Sequence, residues 1–199
     1  LLRPTNVVFL VTLFIIFYDK QALKNYFNHS LAKKIGLAVL IIGLVFLPQL
    51  LYWNYAYGSL VVDTYQAETF SNWSRPKLLE TLFSPNNGLF LYSPILIFTL
   101  IGGLFMLYKK EYHKWVFTIG FAFVSILYIT ASWWTYDFGC GFGSRNFVEY
   151  SVLFVFPIAY LLERSKQHKA VFYPILTVMV LMVVFITQLT YVYDECWFG

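Results

Sequence analysis

The sequence predicts an all-α, polytopic membrane bundle, and three observations carry that reading. Of 199 residues, 59% are hydrophobic and 22% aromatic while only 12% are charged, a balance too apolar for an ordinary soluble domain. Six stretches approach the roughly 20 predominantly apolar residues that a helix needs to cross a bilayer. Lys and Arg cluster in a few of the segments between them, which is the asymmetry that orients membrane helices.

The first span runs from Pro4 to Tyr18 and the second from Ile35 to Trp53. The third, Leu89 to Tyr108, contains Pro94 after Ser93, which either restarts or kinks the helix. Trp115 to Trp134, Phe147 to Leu162 and Ala170 to Thr190 complete the set. Several hold only about 16 clean residues, so either interfacial aromatics extend their ends or their bounds lie a few residues off. Pro48, Pro157 and Pro174 fall inside spans, where neighbouring helices satisfy the backbone groups that a proline frees.

The segment from Asn54 to Asn87 is the longest connection. Within it Pro76 is placed to open a short interfacial helix, with Leu78, Leu79, Leu82 and Phe83 on one face and Lys77, Glu80 and Thr81 on the other. Ser84 to Gly88, SPNNG, reads as a turn. Further on, Asn146 followed three residues later by Glu149 matches a helix-start signature in which side chains satisfy free backbone N–H groups.

Three loops hold ten of the fourteen Lys and Arg residues: Lys20, Lys24, Lys33 and Lys34; Lys109, Lys110 and Lys114; Arg164, Lys166 and Lys169. The other side keeps Arg3, Arg75, Lys77 and Arg145. Basic loops stay cytoplasmic, so the first residue, the long segment and the stretch from 132 to 150 are expected outside. The formal net charge of +4 then follows from topology and gives no argument for nucleic-acid binding. Cys140 and Cys196 both fall outside, either as a disulfide or as two unrelated thiols. His29, His113 and His168 all fall in the basic loops, which leaves carboxylates as the available metal ligands on the outer face; no cofactor is identified. With no internal repeat or low-complexity tract, residues 1–199 read as a single bundle. The opening LLRP reads as cut from a longer chain whose N-terminal half is missing.

The outer stretch SWWTYDFGCGFGSRNFVEY, 132 to 150, is unusually polar for its surroundings. Arg145 beside a helix start and a flexible glycine backbone suits phosphate, with Gly139, Gly141 and Gly143 allowing close approach; the alternative is an arginine that anchors lipid headgroups. GCGFG lacks both the spacing and the preceding strand of a dinucleotide site. Asp137, after Trp133, Trp134 and Tyr136, offers a carboxylate beside aromatic faces, as a sugar site does; an aromatic belt with an exposed aspartate is the competing reading. Asp63, Tyr65, Glu68, Arg75 and Lys77 form a second polar group, in which Arg75 and Lys77 either bind a specific lipid phosphate or contact headgroups generically. Asn28-His-Ser30 and Asn72-Trp-Ser74 fit the glycosylation pattern.

RPTN at 3 to 6, LFSPNNGLFLYSP at 82 to 94 and WW-x-Y-x-FGCGFGSRNFVEY at 133 to 150 together resemble the C-terminal half of bacterial multi-pass glycosyltransferases of the GT-C class. The likeness is to relatives of protein mannosyltransferases and lipid A aminoarabinose transferases, and FGSRNFVEY with its preceding tryptophans is its most specific element. It implies an enzyme of the bacterial inner membrane and cell envelope that takes a sugar from a polyprenyl-phosphate carrier and passes it to an acceptor glycan, lipid or protein outside. In that family the key acid, often an aspartate, lies in an outer loop near the N-terminus that this sequence does not contain. No catalytic base is therefore carried over to Asp137 or Asp63. The loops around Arg145 and from Arg75 to Gly88 look like parts of the donor-binding and acceptor-binding surface.

Two other functions fit the same composition. A flippase or transporter for a lipid-linked sugar requires charges along a path through the membrane, and the six spans hold almost none. A noncatalytic scaffold requires less than the aromatic, glycine-rich outer loop offers.

Overall fold

The computed structural model describes residues 6–17, 29–60, 62, 69–139 and 141–192, and every regular element among them is helical. In order these are α1 (Asn6–Phe17), α2 (His29–Tyr57), α3 (Leu78–Phe83), α4 (Leu89–Tyr92), α5 (Leu96–Leu107), a 3-10 turn at Lys110–Tyr112, α6 (His113–Ser132), a second 3-10 turn at Arg145–Tyr150, α7 (Ser151–Ser165) and α8 (Lys169–Val192). Four stretches, Lys33–Tyr57, Lys110–Ser132, Arg145–Ser165 and Lys169–Val192, are long and apolar enough to cross a membrane.

The chain divides into two compact units, one of Phe17–Thr69 and one of Leu1–Ile16 with Phe70–Gly199. The first contains α2, in which no side chain from Lys33 to Tyr57 is buried. A helix apolar on all sides needs lipid or protein around it, since water would have to hydrate every face. Lys33 and Lys34, expected in a loop, lie in its opening turns.

The second unit is organised around α6. Ile119, Ala122 and Ile126 recur at helical spacing and meet Leu89 of α4, Phe147 and Tyr150 of the second 3-10 turn, and Leu153 and Phe154 of α7 in one core. Val8, Phe9 and Ile16 of α1 pack against that core. The backbones of α5 and α7 approach closely: a Cβ added at Gly102 would lie 2.1 Å from the Pro157 carbonyl oxygen. Only glycine permits it. Thr99 of α5 donates to the Phe154 carbonyl at 3.2 Å, next to the helical bond that Pro157, with no N–H, leaves unmade.

Contacts sort this unit into two ends. At one, Lys114 Nζ donates to the Ile16 carbonyl at 2.9 Å, Tyr112 meets Tyr160 and Trp115 meets Phe156, and the Arg164 guanidinium lies over the Phe105 ring. This end carries Lys109, Lys110, Lys114, Arg164, Lys166 and Lys169. At the other, Phe9 meets Tyr150 and the Lys77 N–H donates to Ala131 at the close of α6. The described cations there are Arg75, Lys77 and Arg145. Within this unit the basic loops at 109–114 and 164–169 thus face away from Arg75, Lys77 and Arg145.

The local expectations meet different outcomes. Of the two readings of Pro94, the structure has the restart: α4 stops at Tyr92 and α5 begins at Leu96, because Pro94 cannot donate and disfavours helix in the residue before it. Asn146 and Glu149, read as a helix start, both lie inside the 3-10 turn, and Ser144 holds the cap position. In α3 the division of faces is different: Thr81 is buried with its hydroxyl on the Lys77 carbonyl at 2.8 Å, while Leu79 and Phe83 are exposed. A threonine hydroxyl bonded within its own helix needs no outside partner, so it packs inward like valine.

Candidate functional site

The end carrying Arg75, Lys77 and Arg145 is built from two segments, 70–93 and 132–150, that interlock. The last carbonyls of α6 have no helical partners, and the first segment supplies them. The Asn72 N–H reaches Ser132 O at 3.1 Å and the Lys77 N–H reaches Ala131 O at 3.0 Å. Asn72 Nδ2 donates to Trp133 O at 2.8 Å. Lys77 and Arg75 therefore sit near the negative end of a helix dipole, where cations are favoured.

Above this, SPNNG forms the expected turn, closed by the Gly88 N–H on Ser84 O at 3.0 Å. Asn87 is the residue that ties it to the glycine loop. Its backbone is left-handed, φ 63°, a conformation that asparagine tolerates better than most residues, and it is 7% exposed. Its Nδ2 donates to Asp137 O at 3.0 Å and Gly139 O at 3.1 Å, and its Oδ1 accepts the Gly143 N–H at 3.0 Å. Ser84 Oγ and the Tyr136 hydroxyl share a bond of 3.1 Å. Tyr92 completes the joint: its hydroxyl donates to Pro85 O at 2.6 Å and its ring meets Phe142 edge-on.

Within this frame the predicted residues take different parts. Arg145 is exposed, and its Nη2 donates to Phe138 O at 3.2 Å, which folds the guanidinium back over the loop. Lys77 lies 5.5 Å from the centroid of the Tyr136 ring. Arg75 is exposed, and its N–H bonds the Asn72 carbonyl to close a turn. Asp137 accepts the Thr135 hydroxyl and the Gly139 N–H through Oδ1, as an aspartate does when it fixes its own turn. Gly143 is required by conformation, with φ 77° and a Cβ position 3.0 Å from Tyr92 Cβ, whereas Gly141 has open space around it. The glycine loop is thus less free than its composition suggests. The N–H groups of Gly139 and Gly143 already have acceptors, while Ser144 Oγ, one residue before Arg145, is buried with no hydrogen-bond partner among the described residues.

The aromatic residues form a connected layer. Phe70 stands edge-on to both Trp73 and Trp133, Trp73 to Tyr128, and Trp133 stacks over Phe138. Trp73 and Trp134 keep about half of their surface exposed. Cys140, Cys196, Asp63, Tyr65 and Glu68 lie outside the described residues. No group of three or more His, Cys, Asp or Glu side chains able to hold a metal occurs among the described residues.

Sequence reasoning marked Ser84 and Asn87 as turn residues and Asn72 as part of a glycosylation pattern, and gave none of them, nor Tyr92, its joining role. An asparagine before glycine signals a turn, but nothing local tells that its amide will bond residues 50 or more positions away. Comparison with protein-family models, with curated proteins and with solved structures finds no match.

Proposed function

We propose that this chain forms part of a membrane glycosyltransferase that moves a sugar from a polyprenyl-phosphate carrier to an acceptor on the extracytoplasmic side of a bacterial inner membrane. The observation that carries the reading is the Asn87 joint: it makes one surface of two of the three segments on which the GT-C likeness rests, through SPNNG and FGCGFGSRN, with Lys77 and Arg145 attached to it. Transfer from a lipid phosphate develops negative charge on the departing phosphate, and fixed cations stabilise it. Arg145 takes that role, and its bond to Phe138 O holds the side chain near the loop without neutralising it. Lys77 and Arg75 attract the anionic carrier to the same end. In this reading α1 and the α4–α5 pair join the four long helices to make about six spans, and α3 lies at the interface with Leu79 and Phe83 toward lipid.

The test is Arg145→Ala in the full-length protein, assayed with polyprenyl-phosphate sugars. Transfer should fall by about a hundredfold or more, as when one stabilising donor is removed, with membrane insertion unchanged and partial recovery in Arg145→Lys. Wild-type transfer by the alanine variant removes the assignment.

A further inference from the structure

A half-open groove of about 410 Å³ runs between α5, α6 and α7, with Phe90 of α4 at its far end. Ile119, Phe154 and Pro157 form its buried floor, and Leu100, Leu104 and Val116 stand along its walls. Its lining is almost wholly apolar, and the one hydroxyl there, that of Thr99, is already bonded to Phe154 O. Two glycines open it, Gly103 on α5 and Gly120 on α6, each with nothing within 4 Å of its Cβ position.

Length and charge identify the occupant. On α5 the lining runs from Leu96 to Leu107, about 17 Å at helical rise; half of a bilayer's hydrocarbon core is about 15 Å. On α6 it covers only Val116 to Phe123, the half of that helix next to the lysine-rich end. The groove is therefore one leaflet deep and belongs to the leaflet at that end. The segment joining its two walls is YKKEYHK, residues 108 to 114, with three lysines against one glutamate. Lys114 holds the Ile16 carbonyl. Lys109 and Lys110 are exposed, and the contact of Lys109 with Glu111, 3.9 Å between exposed side chains, is weak enough for a phosphate to displace.

We infer that this groove binds one acyl chain of an anionic glycerophospholipid whose phosphate sits on Lys109 and Lys110. Basic clusters at the end of an inter-helix groove recognise such headgroups. The lysine pair lies at the opposite end of the unit from Arg145, and the site does not depend on the proposed transfer reaction.

The full-length protein in detergent, incubated with equimolar dioleoyl phosphatidylglycerol and dioleoyl phosphatidylcholine and examined by native mass spectrometry, should retain phosphatidylglycerol preferentially. Lys109→Gln with Lys110→Gln should lower that preference about twenty-fivefold, at roughly fivefold per cation. Gly120→Leu should abolish retention of both lipids by filling the groove, and Gly103→Leu should do the same from the facing wall, with circular dichroism as the check that each variant folds. Equal retention of the two lipids by the wild type, or retention of phosphatidylglycerol unchanged in folded Gly120→Leu and Gly103→Leu, overturns the site. So does a wild-type dimer that Gly120→Leu converts to monomer, since the groove then holds a helix of a second copy.

Discussion

Gly143 donates its N–H to Asn87 Oδ1 at 3.0 Å across 56 residues of sequence, so a single amide side chain sets the distance between the SPNNG turn and the glycine loop. Removing it leaves two carbonyls and one N–H without that partner.

Asn87→Asp keeps the acceptor for Gly143 but turns a second oxygen toward the Asp137 and Gly139 carbonyls, where repulsion and a buried charge add to the loss. Asn87→Gly keeps the left-handed backbone and loses only the side-chain bonds. At about 1–3 kcal/mol per buried group left unsatisfied, both should destabilise, with aspartate the worse. Thermal unfolding in detergent reads the order; an aspartate variant as stable as wild type means that the joint does not form.

Gly143→Ala forces an L-residue to a φ of 77° and against Tyr92, while Gly141→Ala meets nothing within 4 Å. The first should cost about 1–2 kcal/mol and the second under about 0.5 kcal/mol. Equal melting temperatures for the pair contradict the loop geometry.

Gly102 and Gly103 are adjacent in α5 and should respond oppositely to alanine. At 102 the new methyl meets the Pro157 carbonyl, and separating α5 from α7 costs about 1–3 kcal/mol or more. At 103 the space is open and alanine is the better helix former. Unfolding midpoints of the two variants should fall on either side of wild type, and a destabilised Gly103→Ala paired with a neutral Gly102→Ala reverses the assignment of the packing face.

The two ends of the second unit should be reachable from opposite sides of the membrane. With the native cysteines replaced, Lys110→Cys should react with a membrane-impermeant maleimide only after the membrane is opened, and Trp134→Cys should react before. Labelling of both from one side would defeat the topology.

Much of this was legible because hydropathy and lysine placement are properties of the segment itself. The limits of α6 and α8 fall within two residues of the stretches marked by composition. The SPNNG turn was equally plain, its asparagines and glycine being the residues that a reversal requires. What escaped depends on partners far along the chain. Thr81 counts as polar by its hydroxyl, and its inward turn follows from contact with α6, which no local pattern announces. Asn146 and Glu149 have the right spacing for a helix start but fall within a tighter 3-10 turn. Asp137, marked as a lone acid among aromatics, also accepts from Thr135 and Gly139 beside it.

The break at Ser93–Pro94 has a consequence for the level at which this surface operates. Twelve residues of α5 rise about 18 Å and twenty of α6 about 30 Å, and both start from the lysine-rich end, so the far tip of α5 stops roughly 12 Å lower. Lipid beside it must thin or tilt to follow that step. In the proposed transferase, a reactant that follows this step is handled while still immersed in its own bilayer, without first being lifted into the aqueous phase.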